Sequence, residues 1–158
     1  ARQGRTGRLS ASGARSMTLQ AVRRAVEQPI IDALSLDVPV FVENQLYAEN
    51  DALTEFVLVR LQFGDIIEPS VGCPPAENLR ASLVVEAFTT KGRGPGRAQE
   101  IITPVLQVLT SFGGLTPATD DTRVTVSRIT GPTFTPLDGR PHLMARVSAA
   151  LRLRYDGA

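Results

Sequence analysis

The stretch that decides the fold is LRASLVVEAFTTKGRGPGRAQEIITPVLQVLTSF, residues 79–112. Its first twelve residues alternate. Leu79, Ala81, Leu83, Val85 and Ala87 fall on one side of an extended chain, which predicts a strand over 79–90 with that side inward. The closing residues change period: Ala98, Ile101, Ile102, Val105, Leu106, Val108 and Leu109 form the apolar face of a helix. Pro104 is costly inside such a helix, and Gly113-Gly114 supply its stop.

Three glycines at alternate positions, Gly92, Gly94 and Gly96, join the two elements. A dinucleotide fingerprint needs a glycine where Arg97 stands, and a P-loop tetrad does not occur. Pro95 removes one of the amides a phosphate nest would use. The loop still opens a helix whose N-terminus attracts anions, and Arg93 and Arg97 add charge. The segment reads as a strand-to-helix turn.

Working toward the N-terminus, EFVLVRLQFGD (55–65) is rich in β-branched and aromatic residues and predicts a strand. Val57, Val59, Leu61 and Phe63 share one face, and Phe56, Leu58, Arg60 and Gln62 the other. IIEPSVGCPPAEN follows, with three prolines that predict a long exposed loop over 66–77. Before it, LQAVRRAVEQPIIDALSL is an amphipathic helix capped by Thr18, which Pro29 should kink or split, and VPVFVEN is a short strand. Toward the C-terminus, TRVTVSRITG predicts a strand, 131–141 a proline-bearing loop, and HLMARVSAALRLRY a strictly alternating final strand. Leu143, Ala145, Val147, Ala149, Leu151, Leu153 and Tyr155 take its inner side. The expected fold is α+β in two layers: a mainly antiparallel or mixed sheet of four to five strands with two helices on one face.

The chain of 158 residues suits one domain, residues 17–158, preceded by an Arg-, Gly- and Ser-rich arm over 1–16. The arm carries Arg2, Arg5, Arg8 and Arg15 and no acid; thirteen basic and sixteen acidic residues leave the rest at −3. It is either an unstructured leader or an arm that orders against an acidic neighbour or nucleic acid. One cysteine, Cys73, and one histidine, His142, leave no disulfide and no metal-ligand spacing; an intracellular protein without a structural metal is the expectation. No segment has the length and apolarity of a membrane span.

Catalytic signatures do not appear. His142 has no nucleophile motif to pair with and reads as a surface histidine. Cys73 lies between Gly72 and Pro74 with no flanking base, and Asp120-Asp121 and Glu49/Asp51 read as turn residues. No enzyme activity is expected. Arg146, Arg152 and Arg154 share one face of the last strand, with Arg128 beside them, so a nucleic-acid-binding module is one alternative. With no Trp and 5% aromatics, a base-stacking platform is absent, and a solvated or subunit-facing surface is the simpler reading.

The second sheet face is unusual. Phe56, Leu58, Val84, Phe88 and Met144 share it with Arg60, Glu86 and Arg146, the mixture of apolar anchors and charges found at protein interfaces. The expected interface set adds Arg93 from the glycine turn, Phe134 and Arg140 from 131–141, and Arg152 and Arg154.

The order of these elements resembles the tail terminator proteins of long-tailed bacteriophages, which close the head-proximal end of the tail tube. The resemblance spans about residues 18–156. It rests on the opening helix through DVPVFVEN, the strand EFVLVRLQFGD, the strand–turn–helix of 79–112 and the closing LMARVSAALRLRYD. Its local cue is a strand followed by F-x-x-x-G-x-G, here Phe88, Gly92 and Gly94, then a helix with A-x-x-I, here Ala98 and Ile101. The resemblance implies a ring-forming virion subunit, a homo-hexamer assembled in the host cytoplasm, with no cofactor and no membrane contact. Its partners would be the tail tube protein and a neck or head-completion protein, with DNA only passing through the lumen. A neck or head-completion protein is the nearest alternative.

Overall fold

The computed structural model describes residues 19–43, 53–67, 77–112, 117–119 and 122–155. Along these run helix α1 (Leu19–Leu34) and strands β1 (Val40–Val42), β2 (Phe56–Ile67) and β3 (Glu77–Thr90). Helix α2 (Gly96–Ser111) follows, then strands β4 (Pro117–Thr119), β5 (Thr122–Pro136) and β6 (His142–Tyr155). The strands form one sheet in the order β1-β2-β3-β6-β5-β4, antiparallel throughout except that β1 runs parallel to β2. Both helices cover the same face and touch each other, giving the two-layer α+β fold.

Period explains the core. From β2, Val57, Val59 and Leu61 are buried; from β3, Leu79, Ala81, Leu83, Val85 and Ala87; from β6, Ala145, Val147, Ala149, Leu151 and Leu153. Across the ladders they stand side by side, as in the row Leu61–Leu83–Ala149. The helices close over them with Val22, Val26, Ile30 and Leu34, spaced four apart on α1, and with Ala98, Ile101, Ile102, Val105 and Leu109 on α2. A fully buried Leu or Ile contributes roughly 1.5–3 kcal/mol of transfer free energy, so these positions hold the layers together.

Three expectations need correction. Pro29 does not split the first helix, and Pro104 lies inside α2; in each case a full stripe of buried side chains outweighs one lost backbone donor. Among the described residues the sheet also takes in Pro117–Thr119, a three-residue edge strand too short to show alternation. Residues 131–136 are strand and not loop: β5 runs on to Pro136 through an irregularity between Thr130 and Thr133. A bulge removes Pro132 from the ladder, so its missing donor costs no pairing. At the bulge Gly131 has φ 103°, and a Cβ there would lie 2.6 Å from the Arg146 carbonyl oxygen. Likewise β2 extends to Ile67 and β3 begins at Glu77, which trims the predicted loop to 68–76. That remainder lies outside the described residues, as do Thr18, Cys73, the Gly113-Gly114 stop and the arm over 1–16.

Candidate interface on the open face of the sheet

The face that carries no helix is ordered in rows by the strand registers. One row reads Phe56–Phe88–Met144–Thr135 across β2, β3, β6 and β5. The next reads Leu58–Glu86–Arg146–Thr133, then Arg60–Val84–Ser148–Thr130, then Gln62–Ser82–Ala150–Arg128. Beyond these lie Arg80–Arg152–Thr125 and the pair Arg154–Arg123. The face therefore grades from apolar at one end to arginine at the other.

The apolar end is closed over by the chain itself. Phe56, Leu58 and Phe88 keep 3, 4 and 5% of their exposure, packed against Phe41, Leu53, Leu137 and Met144. Phe56 and Phe88 stack with centroids 4.4 Å apart and planes 13° from parallel, and Phe41 meets Phe56 edge-on at 6.2 Å. A stacked pair adds about 0.5–1.5 kcal/mol beyond its area, so this is a second small core. Phe56, Leu58 and Phe88 thus stand on the predicted face but not at its surface, while Val84 and Met144 are half-buried. The reason lies in Leu53 and Leu137, which fold back from outside the strands, where strand alternation carries no information.

His142 belongs to this cluster. It is 1% exposed, not a surface residue, and its ring stands edge-on to Phe56 and Phe88 at 5.4 and 6.1 Å. Its Nε2 lies 2.7 Å from the Leu53 carbonyl oxygen, which can only accept, so Nε2–H donates, and Nδ1 has no hydrogen-bond partner among the described residues. It ties the 53–55 segment to β6. No carboxylate or nucleophile contacts it among the described residues.

Below the apolar end, Glu86 is buried and lies 3.7 Å from Arg60, with Arg146 beside it across the ladder. The rows that follow expose Arg80, Arg123, Arg128, Arg152 and Arg154. An open groove of about 530 Å³ runs there, bounded by Arg80, Arg152, Gln62, Ser82, Ser127 and Ala150. Arg152 and Arg154 were legible from alternation in the last strand. Arg80 was missed, although it shares parity with Glu86 in 79–90. Arg123 was missed because only pairing with β6 brings it beside Arg154.

The other predicted interface residues lie elsewhere. Phe134 is half-buried on the helix-covered side, because the continuation of β5 places it opposite Ala145. Arg93 is exposed in the glycine turn, and Arg140 is exposed in the turn between β5 and β6. Arg97 is not an anion-attracting charge at a free helix end. It forms a two-point bridge to Glu55 at 2.9 and 3.0 Å and single bonds to Asp37 and Glu100 at 3.1 Å each. These partners, Glu55 foremost, hold its guanidinium pKa above the ordinary value. The turn's arginine is thus spent on an internal clamp.

A second clamp lies under the helix layer. Arg23 reaches Glu27 at 2.9 Å, Glu43 at 3.3 Å and the Leu61 carbonyl at 3.3 Å, with its guanidinium over the Phe63 ring. Burial pushes the Glu27 carboxyl pKa up, against the lowering effect of Arg23. Among the described residues no group of three His, Cys, Asp or Glu side chains is placed to hold a metal ion. Nor is any helix there long and apolar enough to cross a membrane.

No protein-family model matches the sequence, and no curated protein does. Among solved structures the chain is similar to the gp17 protein of bacteriophage SPP1, at 18% identity and a TM-score of 0.43. That match covers 87% of this chain and 94% of the other. A second structure, without a functional name, is similar at 17% identity and a TM-score of 0.48, covering 89% of this chain and 96% of that one.

Proposed function

We propose that the chain is a structural subunit of a long-tailed bacteriophage virion, closing into a six-membered ring at the head-proximal end of the tail tube. One surface of the ring stacks on the tail tube protein and ends its growth; the other receives a neck or head-completion protein. The role requires no catalysis and no cofactor.

The order and pairing of elements carry the reading. The opening helix, the paired strands β2 and β3, the glycine turn into α2 and the closing strand β6 follow the succession that the tail-terminator resemblance implies. A second support is chemical. Ring contacts of the head-to-tail kind use two different patches on each subunit. This chain offers a helix layer on one side and, on the other, the part of the open sheet face that carries Val84, Met144 and Arg146. The turn over 137–141 and the exposed Arg93 add contact surface at the chain's projecting ends.

The decisive experiment mixes the purified protein with polymerising tail tube protein and images the products by electron microscopy. Tubes of limited length with a ring at one end support the proposal. Tubes that keep growing, bare at both ends, reject it. Within that assay, Arg93→Glu should impair ring formation or stacking; unchanged assembly removes Arg93 from the contact surface.

A further inference from the structure

The ion pairs of this protein are unevenly spent. Between residues 25 and 59 the chain carries seven carboxylates and no basic residue. Of the five described, Glu27 and Glu43 pair with Arg23, Asp37 and Glu55 pair with Arg97, and Asp32 accepts from Gln28. Four of these five described carboxylates thus share two guanidiniums, those of Arg23 and Arg97. The sheet face shows the reverse. Arg80, Arg128 and Arg152 are exposed and have no ion-pair partner among the described residues, and Arg123 and Arg154 bring further charge to the next row.

Their spacing is fixed by the sheet. Arg80 and Arg152 are direct cross-strand partners, and Arg154 follows on the same side of β6, facing Arg123. Like charges placed opposite each other in a ladder are destabilising, so folding does not explain the facing pair Arg80–Arg152. With strands about 4.8 Å apart and alternate residues about 6.8 Å apart, the five guanidiniums span roughly 10 by 14 Å. Over 14 Å of axis a nucleic-acid duplex presents about eight phosphates. The side chains between Arg80, Arg128 and Arg152 include the short Ser82, Ser127, Ala150 and Thr125. Among the described side chains of these rows there is no carboxylate, and no aromatic ring on which a base could stack.

We infer that the arginine end of the open sheet face, centred on Arg80, Arg128 and Arg152, binds the phosphate backbone of a nucleic-acid duplex without reading its sequence. The planar fork of arginine suits phosphate oxygens; Phe63 also lines the groove, but it is half-buried with the Arg23 guanidinium over its ring, so the face meets the backbone and not the bases. The acidic surface of a second copy is the competing occupant, and the titration below separates the two. The inference does not depend on ring formation: a monomer that binds duplex satisfies it, and a ring that does not bind duplex contradicts it.

The test uses the full chain and a fluorescent mixed-sequence DNA duplex titrated at several salt concentrations. With three to five phosphate contacts, log K should fall with log salt at a slope of about −2.7 to −4.5. The double substitution Arg80→Gln/Arg152→Gln should weaken binding at least tenfold at low salt and make the slope shallower by about two units. Arg24→Gln, at an exposed arginine on α1 with no ion-pair partner among the described residues, should leave both affinity and slope unchanged. If the double variant does not fold, Arg128→Gln alone should reduce the slope by about one unit. Absence of duplex binding at low salt overturns the inference, as does binding that the double variant leaves intact, which would assign it to the N-terminal arginines. Loss of self-association or of tail tube binding with duplex affinity unchanged also overturns it, and gives the patch to an acidic protein surface.

Discussion

Removing Arg97 tests whether the glycine turn is a structural clamp. Arg97→Met keeps the aliphatic stem and deletes four hydrogen bonds to three carboxylates that belong to separate segments: Asp37 after α1, Glu55 before β2 and Glu100 within α2. The magnitude follows from exposure. Asp37 and Glu100 side chains are 56% and 70% exposed, so each contributes only a few tenths of a kcal/mol. Glu55 is 30% exposed and bound at two points, which places its share near 1 kcal/mol. The loss should total about 1–2 kcal/mol, a fall of roughly 3–6 °C in Tm for a domain of this size. Thermal unfolding by circular dichroism reads this directly, and about 1 M salt should narrow the gap by screening the exposed pairs. A double-mutant cycle with Glu55→Gln should return a coupling close to the Glu55 share. A variant that melts within about 1 °C of the parent, or a cycle with no coupling, would refute the clamp.

Three other outcomes are expected. Gly131→Ala should destabilise by at least about 1–3 kcal/mol, because φ 103° is strained for alanine and the new methyl would meet the Arg146 carbonyl. A urea midpoint equal to that of the parent would contradict this. Leu83→Ala, at the centre of the sheet and fully buried, should cost about 2–5 kcal/mol, whereas Ser82→Ala, exposed on the open face, should stay within about 0.5 kcal/mol. Equal effects at the two positions would mean that the faces are assigned the wrong way round. For Glu27 the folded state binds its proton more tightly than the unfolded state does, so its stability contribution is lost as pH rises from the ordinary carboxylate pKa through the raised one. The stability difference between parent and Glu27→Gln should therefore move in the variant's favour as pH rises above the ordinary carboxylate range. A pH-independent difference would show that burial does not govern this carboxyl.

The layers were legible because they rest on period. Strict alternation in 142–155 and 79–90, and the three-and-four spacing of 98–109, put the right side chains between helix and sheet. Whatever depended on chain segments meeting from afar was not legible. Leu53 and Leu137 bury Phe56 and Phe88, and nothing local to EFVLVRLQFGD announces a lid. His142 looked exposed because it follows Pro141, yet its ring fills the same cluster. Gly131 and Pro132 read as a loop, since a bulge and a turn use the same residue types. On the open face Phe56, Leu58 and Phe88 proved to be buried, Val84 and Met144 are half-buried, and the arginine rows take in Arg80 and Arg123 as well. Parity could have supplied Arg80. Arg123 required knowing that β5 lies against β6.

The placement of β6 bears on how the molecule is made. It lies between β3 and β5, and its register joins Glu77 to Tyr155. During synthesis β2 and β3 can close as a hairpin, but the inner border of β3 keeps its amides and carbonyls unmatched until residues 142–155 emerge. Folding must then zip a seam between segments far apart in the chain, a slow step by its topology. A ribosome that stalls before residue 142 would hold a half-built sheet with an adhesive margin, the species a chaperone is suited to shield.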